Sequence, residues 1–142
     1  MRSFRSIVWW VGIVGGIVFT IHASFPNVYS WPMIWPPITG ATAFWLATRQ
    51  PATHRLRTGL AATLAAALIA GVIAFVGISI VVTIALHVMH PTPAQLGVSN
   101  GLVTAATLAA LASLSGITVL EAILGGVLAL PVRYLQTRSA RA

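Results

Sequence analysis

The sequence predicts an all-α integral membrane protein, a single bundle of either four long or six short helices. Three observations carry this prediction. Hydrophobic residues make up 58% of the 142 residues and charged residues only 6%, where a soluble domain carries roughly a quarter. There is one acidic side chain, Glu121, and no lysine. The eight basic residues are all arginine and fall in three clusters: Arg2 and Arg5; Arg49, Arg55 and Arg57; Arg133, Arg138 and Arg141. The stretches between clusters exceed the ~18 apolar residues that mark a spanning helix. Residues 1–142 therefore read as one transmembrane domain surrounded by membrane lipids, with the bacterial cytoplasmic (inner) membrane as its expected location.

The net charge of +7 invites a nucleic-acid reading, which the arrangement rejects. The arginines flank apolar spans and do not form a stripe on one polar face. They follow the positive-inside bias instead. The loop at 49–57 and both termini are accordingly expected on the cytoplasmic side, which requires an even number of crossings before and after that loop.

The first span covers about residues 7–24. Its Met-Arg-Ser-Phe-Arg start resembles a signal peptide, but the long apolar run with Trp9 and Trp10 reads as a retained helix. Gly12 and Gly16 form a small-xxx-small pair that permits close helix approach. Phe25-Pro26-Asn27 ends the span. Tyr29, Trp31 and Trp35 then supply rings of the kind found at membrane interfaces.

The second span covers about residues 31–48. Pro32, Pro36 and Pro37 crowd its beginning, giving either a helix started by proline or a broken entry facing a watery cavity. Arg49 to Arg57 form a polar loop broken at Pro51.

The third and fourth apolar stretches, 59–90 and 101–134, are each long enough for about 48 Å of helix, against a ~30 Å hydrocarbon core. Each is one long tilted helix, or two short ones hinged near Gly77-Ile78-Ser79 and near Ser115-Gly116. Small residues recur every four positions at Thr63, Ala67 and Gly71, at Gly97 and Gly101, and at Ala122 and Gly126. That spacing favours tight helix contacts in lipid.

Glu121 is the sharpest candidate for chemistry. An ionisable residue within a span usually faces the bundle interior or a cavity and marks a pathway. It reads as a gating or proton-coupling carboxylate, or else as a capping or snorkelling group at the outer end of its helix. His87 and His90 share a helix face, but without an acid or thiol nearby they make a poor metal site. His22 gives them no facing partner for haem.

Cysteine is absent, which removes disulfides and thiolates. A single carboxyl excludes catalysis by an acid–base pair of carboxyls, and no serine–histidine–acid set can be assembled. No enzyme activity, metal or cofactor is expected. The loop arginines Arg49, Arg55 and Arg57 read as topology marks and lipid contacts, or as an electropositive mouth that concentrates anions.

Several segments, read in order, resemble the fusaric acid resistance and aromatic acid exporter superfamily. Tyr-Ser-Trp-Pro-Met-Ile-Trp-Pro-Pro-Ile-Thr-Gly-Ala, residues 29–41, is similar to the family's second span. Arg57-Thr58-Gly59-Leu60-Ala61-Ala62-Thr63 stands where the family has an arginine followed by a small-residue third span. Glu121-Ala122-Ile123-Leu124-Gly125-Gly126 is similar to the acid and glycines that open its last span. The resemblance implies six short spans, at about 7–24, 32–48, 58–76, 78–90, 97–114 and 117–134. It also implies a transporter or channel component for organic or other small anions, working as a homodimer. Arg49, Arg55 and Arg57 would attract the anion, Trp31, Trp35 and Thr39 would shape its entry, and Glu121 would gate or couple. A different expectation fits the small size as well: a non-transporting accessory subunit of a larger membrane complex.

Overall fold

A computed structural model describes residues 4–24, 32–49, 55–89 and 100–139, all of them helical or in a helix-ending turn. Helix α1 spans Phe4–Ser24. A 3₁₀ turn over Pro32–Ile34 leads into α2, Trp35–Thr48. Helices α3, Arg55–Met89, and α4, Asn100–Ser139, complete the described chain. Helices α1, α3 and α4 are long and apolar enough to cross a membrane.

The second span is α-helical only from Trp35, after a 3₁₀ turn opened by Pro32, and it is not among the helices long enough to cross a membrane. Pro36 and Pro37 occupy the first turn of α2, where the backbone N–H groups have no intrahelical partner in any case. With 14 residues, α2 is only about 21 Å long. It is enclosed by α1, α3 and α4 along much of its length, with Pro36, Thr39, Gly40, Ala43, Phe44, Ala47 and Thr48 buried.

The expectation of six short helices fails at both proposed hinges. Helix α3 continues through Gly77-Ile78-Ser79, and α4 continues through Ser115-Gly116. The physical reason lies in how the hydroxyls are used. Ser79 donates to the Phe75 carbonyl at 2.6 Å and Thr83 to the Ser79 carbonyl at 2.7 Å. Ser115 donates to the Leu111 carbonyl at 2.8 Å and Thr118 to the Leu114 carbonyl at 2.8 Å. Each polar group is satisfied within its own helix, so lipid imposes no need to break it. Pro131 also lies inside α4 without ending it. At 35 and 40 residues, α3 and α4 are about 52 and 60 Å long, and both exceed the ~30 Å core.

Side-chain register fixes the topology. Gly12 packs against Ala66 and Ile69, Gly16 against Ala70 and Ile73, and Gly77 against Thr20, so α1 and α3 run parallel. Gly59 meets Phe44 and Thr48, while Thr63 meets Gly40, so α2 runs against α3. Gly71 meets Val119 and Gly126 meets Thr63, so α4 also runs against α3. The bundle is up-down-up-down, and the α2–α3 pair separates α1 from α4.

Two side-chain clusters hold the ends. Val8, Ala47 and Ala62 pack with Phe4, Ala65 and Ile69 at one end. Phe19, Ala74, Ile78 and Leu111 pack with Ala23, Trp35, Val82 and Leu114 toward the other. Between them α3 presents Ala62, Ala66, Ala67, Ala70 and Ala74, all essentially sealed. Lipid tails are as apolar as leucine, so helix association depends on close packing more than on hydrophobic burial. Alanine supplies that closeness.

The tightest contact is the crossing of α2 and α4. A Cβ on Gly40 would collide with the backbone carbonyl of Ala122, and one on Gly125 would collide with the backbone of Pro37. Here backbone lies directly on backbone, which only glycine allows. Thr63 closes the junction from α3. Its hydroxyl reaches the Gly40 carbonyl at 3.3 Å and the Gly59 carbonyl at 3.1 Å, and its side chain fills the space that Gly126 leaves open.

Candidate functional site: an arginine end, a lateral groove and a lone carboxylate

The topology brings the arginine clusters to one end. The start of α1, the end of α2, the start of α3 and the end of α4 lie together there. They carry Arg5, Arg49, Arg57 and Arg133, the first three exposed. Arg55 opens α3, and Arg138 lies near the end of α4. The chain's one acidic side chain is remote from this end.

Aromatic rings mark the same end. Trp9 and Trp10 are 57% and 59% exposed one turn into α1, too exposed to be core and well placed for a membrane–water interface. Trp45 on α2 and Tyr134 on α4 are also exposed. The Arg49 guanidinium lies over the Trp45 ring, 3.5 Å from its centroid, in cation–π contact. The sequence reading missed this belt, placing its interfacial rings at Tyr29, Trp31 and Trp35. The available signal was the four-residue spacing of Trp45 and Arg49, which puts them on one helix face.

The expected pathway residues are only partly brought together. Trp35 and Thr39 line a groove of about 290 Å³ between α1 and α2, with Trp10, Val14, Gly15, Ile38 and Thr42 among its other walls. The groove opens sideways and its walls are almost wholly apolar. The Thr39 hydroxyl is turned onto the Trp35 carbonyl at 2.9 Å. Trp35 also stacks at a tilt on His22, with ring centroids 5.3 Å apart, and His22 Nδ1 lies 2.9 Å from the Val18 carbonyl.

Arg49 stands at the opposite end of α2 from Trp35. The 14-residue step from Trp35 to Arg49 covers about 21 Å of helix, so the rings and the arginines do not form one mouth. Arg57 is exposed at the start of α3. Trp31, His90 and Gly97 lie outside the described residues, and the side chains of Arg55, His87 and Gly101's surroundings are likewise not described.

Glu121 is the 22nd of the 40 residues of α4, which excludes a role as a helix-end cap. Twelve residues, about 18 Å of helix, separate it from Arg133. Thr118 and Gly125 share its helix face and Ala122 follows it in the chain, all three buried. Ala122 and Gly125 are the residues that meet α2, so Glu121 lies on the α2-side flank of α4. The side chain is half-buried, and its Oε2 is fully covered with no hydrogen-bond partner among the described residues. Because α2 stands between α1 and α4, Glu121 and the α1–α2 groove lie on opposite flanks of α2.

Comparison with known protein families, with characterised proteins and with solved structures gives no match for this chain.

Proposed function

We propose that this chain is a small membrane transporter or channel component for organic or other small anions, working as a homodimer in a bacterial cytoplasmic membrane. The observation that carries the reading is the separation of charge along the bundle. One end gathers arginines with no acidic side chain beside them, while Glu121 stands about 18 Å of helix from Arg133, its covered Oε2 without a hydrogen-bond partner among the described residues. An electropositive rim raises the local concentration of anions. An ionisable group within a span, costly to place there, ordinarily serves a pathway.

In this reading Arg49, Arg55 and Arg57 form the cytoplasmic mouth, and Glu121 gates or couples movement along the outer flank of the α2–α4 crossing. A second copy facing that flank completes the route. Trp31, Trp35 and Thr39 shape the anion's entry, as the resemblance implies, and Trp35 and Thr39 stand in the far half of α2. The sequence resemblance to the aromatic acid exporter superfamily supports the substrate class. The positive-inside bias supports cytoplasmic termini.

The test is efflux of aromatic and dicarboxylic acids from liposomes containing the purified protein. Wild type is expected to accelerate efflux, Arg49→Gln with Arg57→Gln to slow it about tenfold, and Glu121→Gln to abolish its proton dependence. Efflux unaffected by the paired arginine substitutions would sink the proposal. A reporter fused at residue 95 is expected on the side opposite the arginines.

One observation favours a second reading, that of a non-transporting accessory subunit. The alanine-lined interior is closed, and the outward faces of α1, α3 and α4 carry a long series of exposed Leu, Ile and Val side chains. Purification in mild detergent separates the readings. A stoichiometric unrelated membrane protein supports the subunit, and a clean homodimer supports the transporter.

A further inference from the structure

The α1–α2 seam shares Trp35, Thr39 and Arg49 with the anion reading, but the apolar walls of its groove have an architecture that an anion route does not call for. Ile38, Thr42, Trp45 and Arg49 follow one another at helical spacings of four, three and four, so they form one face of α2. Ile38 and Thr42 line the groove. Trp45 continues that face beyond it, and Arg49 caps the line with its guanidinium laid on the Trp45 ring. Facing them on α1 are Val14 and Trp10. Gly15 forms the floor, where the helices approach so closely that a Cβ would strike the Thr39 hydroxyl. Trp35, braced by His22, closes the far end.

The dimensions fit one lipid chain. The groove's walls on α2 run from Thr42 to Trp35, about 10 to 21 Å of helix from Arg49, which reaches past the middle of a ~30 Å hydrocarbon core. The groove volume of about 290 Å³ stands at the lower edge of the ~300–1,000 Å³ typical of ligand sites. An apolar slot with a cation about 10 Å beyond its near end on the same helix face has the polarity pattern of a phospholipid.

Charge decides which phospholipid and argues against a second copy of the chain. The only acidic side chain is on α4, on the other flank of α2, so no acidic side chain neutralises Arg49. Two copies inserted in the same sense would bring Arg49 against Arg49 at equal depth, which repels. A lipid phosphate satisfies the guanidinium through charge-assisted hydrogen bonds. A chain in the groove gains little from hydrophobicity, because lipid surrounds it in either state. Selectivity therefore comes from the headgroup.

We propose that the α1–α2 seam is a binding site for one anionic phospholipid of the arginine-side leaflet. Its chain lies along the groove from Trp10 toward Ile38, and its phosphate is held by Arg49. The site shares Arg49 with the proposed anion mouth, but its readouts are lipid preference and lipid retention, which do not depend on transport.

The experiment measures quenching of tryptophan fluorescence by chain-brominated phosphatidylglycerol and phosphatidylcholine, with the full-length protein in vesicles. Native mass spectrometry counts the lipid retained. Wild type is expected to prefer the anionic lipid about fivefold, the scale of one arginine at an anionic surface, and to retain one molecule per chain. Arg49→Gln is expected to remove the preference, and Val14→Phe to lose the retained lipid by filling the groove. Arg133→Gln, at the end of α4 and away from the seam, is expected to change neither readout. Equal quenching by the two lipids overturns the proposal. So does an Arg133→Gln effect as large as that of Arg49→Gln, since the attraction would then be diffuse. Loss of the preference in excess inorganic phosphate also overturns it, because the cation would then hold a free anion and not a lipid. A misfolded variant is recognised by its helical circular dichroism, and Trp45→Leu, which removes the ring beneath Arg49, then serves as the second test of the headgroup contact.

Discussion

The two flanks of α2 are built from the same short sequence yet pack in opposite ways. Toward α4, Gly40 and Pro37 meet Ala122 and Gly125 with backbone on backbone. Toward α1, Trp35, Ile38 and Thr42 hold the helices apart above a single glycine contact, Gly15 on Thr39, and leave an open groove. Both flanks are apolar, so hydrophobicity does not explain the difference. Side-chain size does, because in lipid van der Waals fit is a main source of helix association. Where both helices offer small residues the gap closes, and where one offers rings a gap remains.

Substitutions can break or sharpen this contrast. The largest effect is expected for Gly40→Leu, which must push α2 off the Ala122 carbonyl and should cost about 3 kcal/mol, at the upper end of overpacking penalties. Reversible unfolding in mixed micelles measures it, and an unchanged midpoint would show that the crossing is not tight. Thr63→Val keeps the shape but removes the hydroxyl from the Gly40 and Gly59 carbonyls. A loss of about 1 kcal/mol is expected by the same measurement.

Glu121→Gln is expected to shift stability the other way. Its covered Oε2 has no hydrogen-bond partner among the described residues, and an unpaired buried charge is costly. The melting temperature should rise by a few degrees. A fall would reveal a partner for the carboxylate. On the open flank, Val14→Ala enlarges an existing groove and should cost less than about 0.5 kcal/mol, as surface substitutions generally do. The smallest effect is expected for Gly116→Ala, where an added methyl meets nothing. A clear destabilisation there would point to a helix surface that packs against another protein.

The membrane class was legible because charge is excluded from long stretches, and the common end of the arginines because topology must obey their spacing. Helix number was not. Gly77-Ile78-Ser79 and Ser115-Gly116 have the composition of hinges, but their hydroxyls bond back into the helix. Composition alone does not reveal that use. Small-residue spacing did locate real contacts at Gly12, Gly16, Thr63, Gly71, Ala122 and Gly126. Gly40 and Gly125, which mark the tightest crossing, belong to different helices, and no local pattern links them. The candidate site residues were chosen by chemical type. Trp35, Thr39 and Arg49 do lie along one helix, but their depths differ by up to about 21 Å, a quantity that needs the orientation and extent of α2. Glu121 stands out in the sequence as the one acid within an apolar stretch, but its mid-helix position follows only from the continuity of α4.

The gathering of arginines at one end has a consequence for assembly. Placing an arginine at mid-bilayer costs at least ~2.5–3.5 kcal/mol on insertion scales, and turning the bundle over would carry several across together. An inserted chain therefore keeps its first orientation for life. Two copies inserted in the same sense can meet only as parallel neighbours, with their symmetry axis along the membrane normal. Such a pair doubles its positive charge on a single face of the membrane.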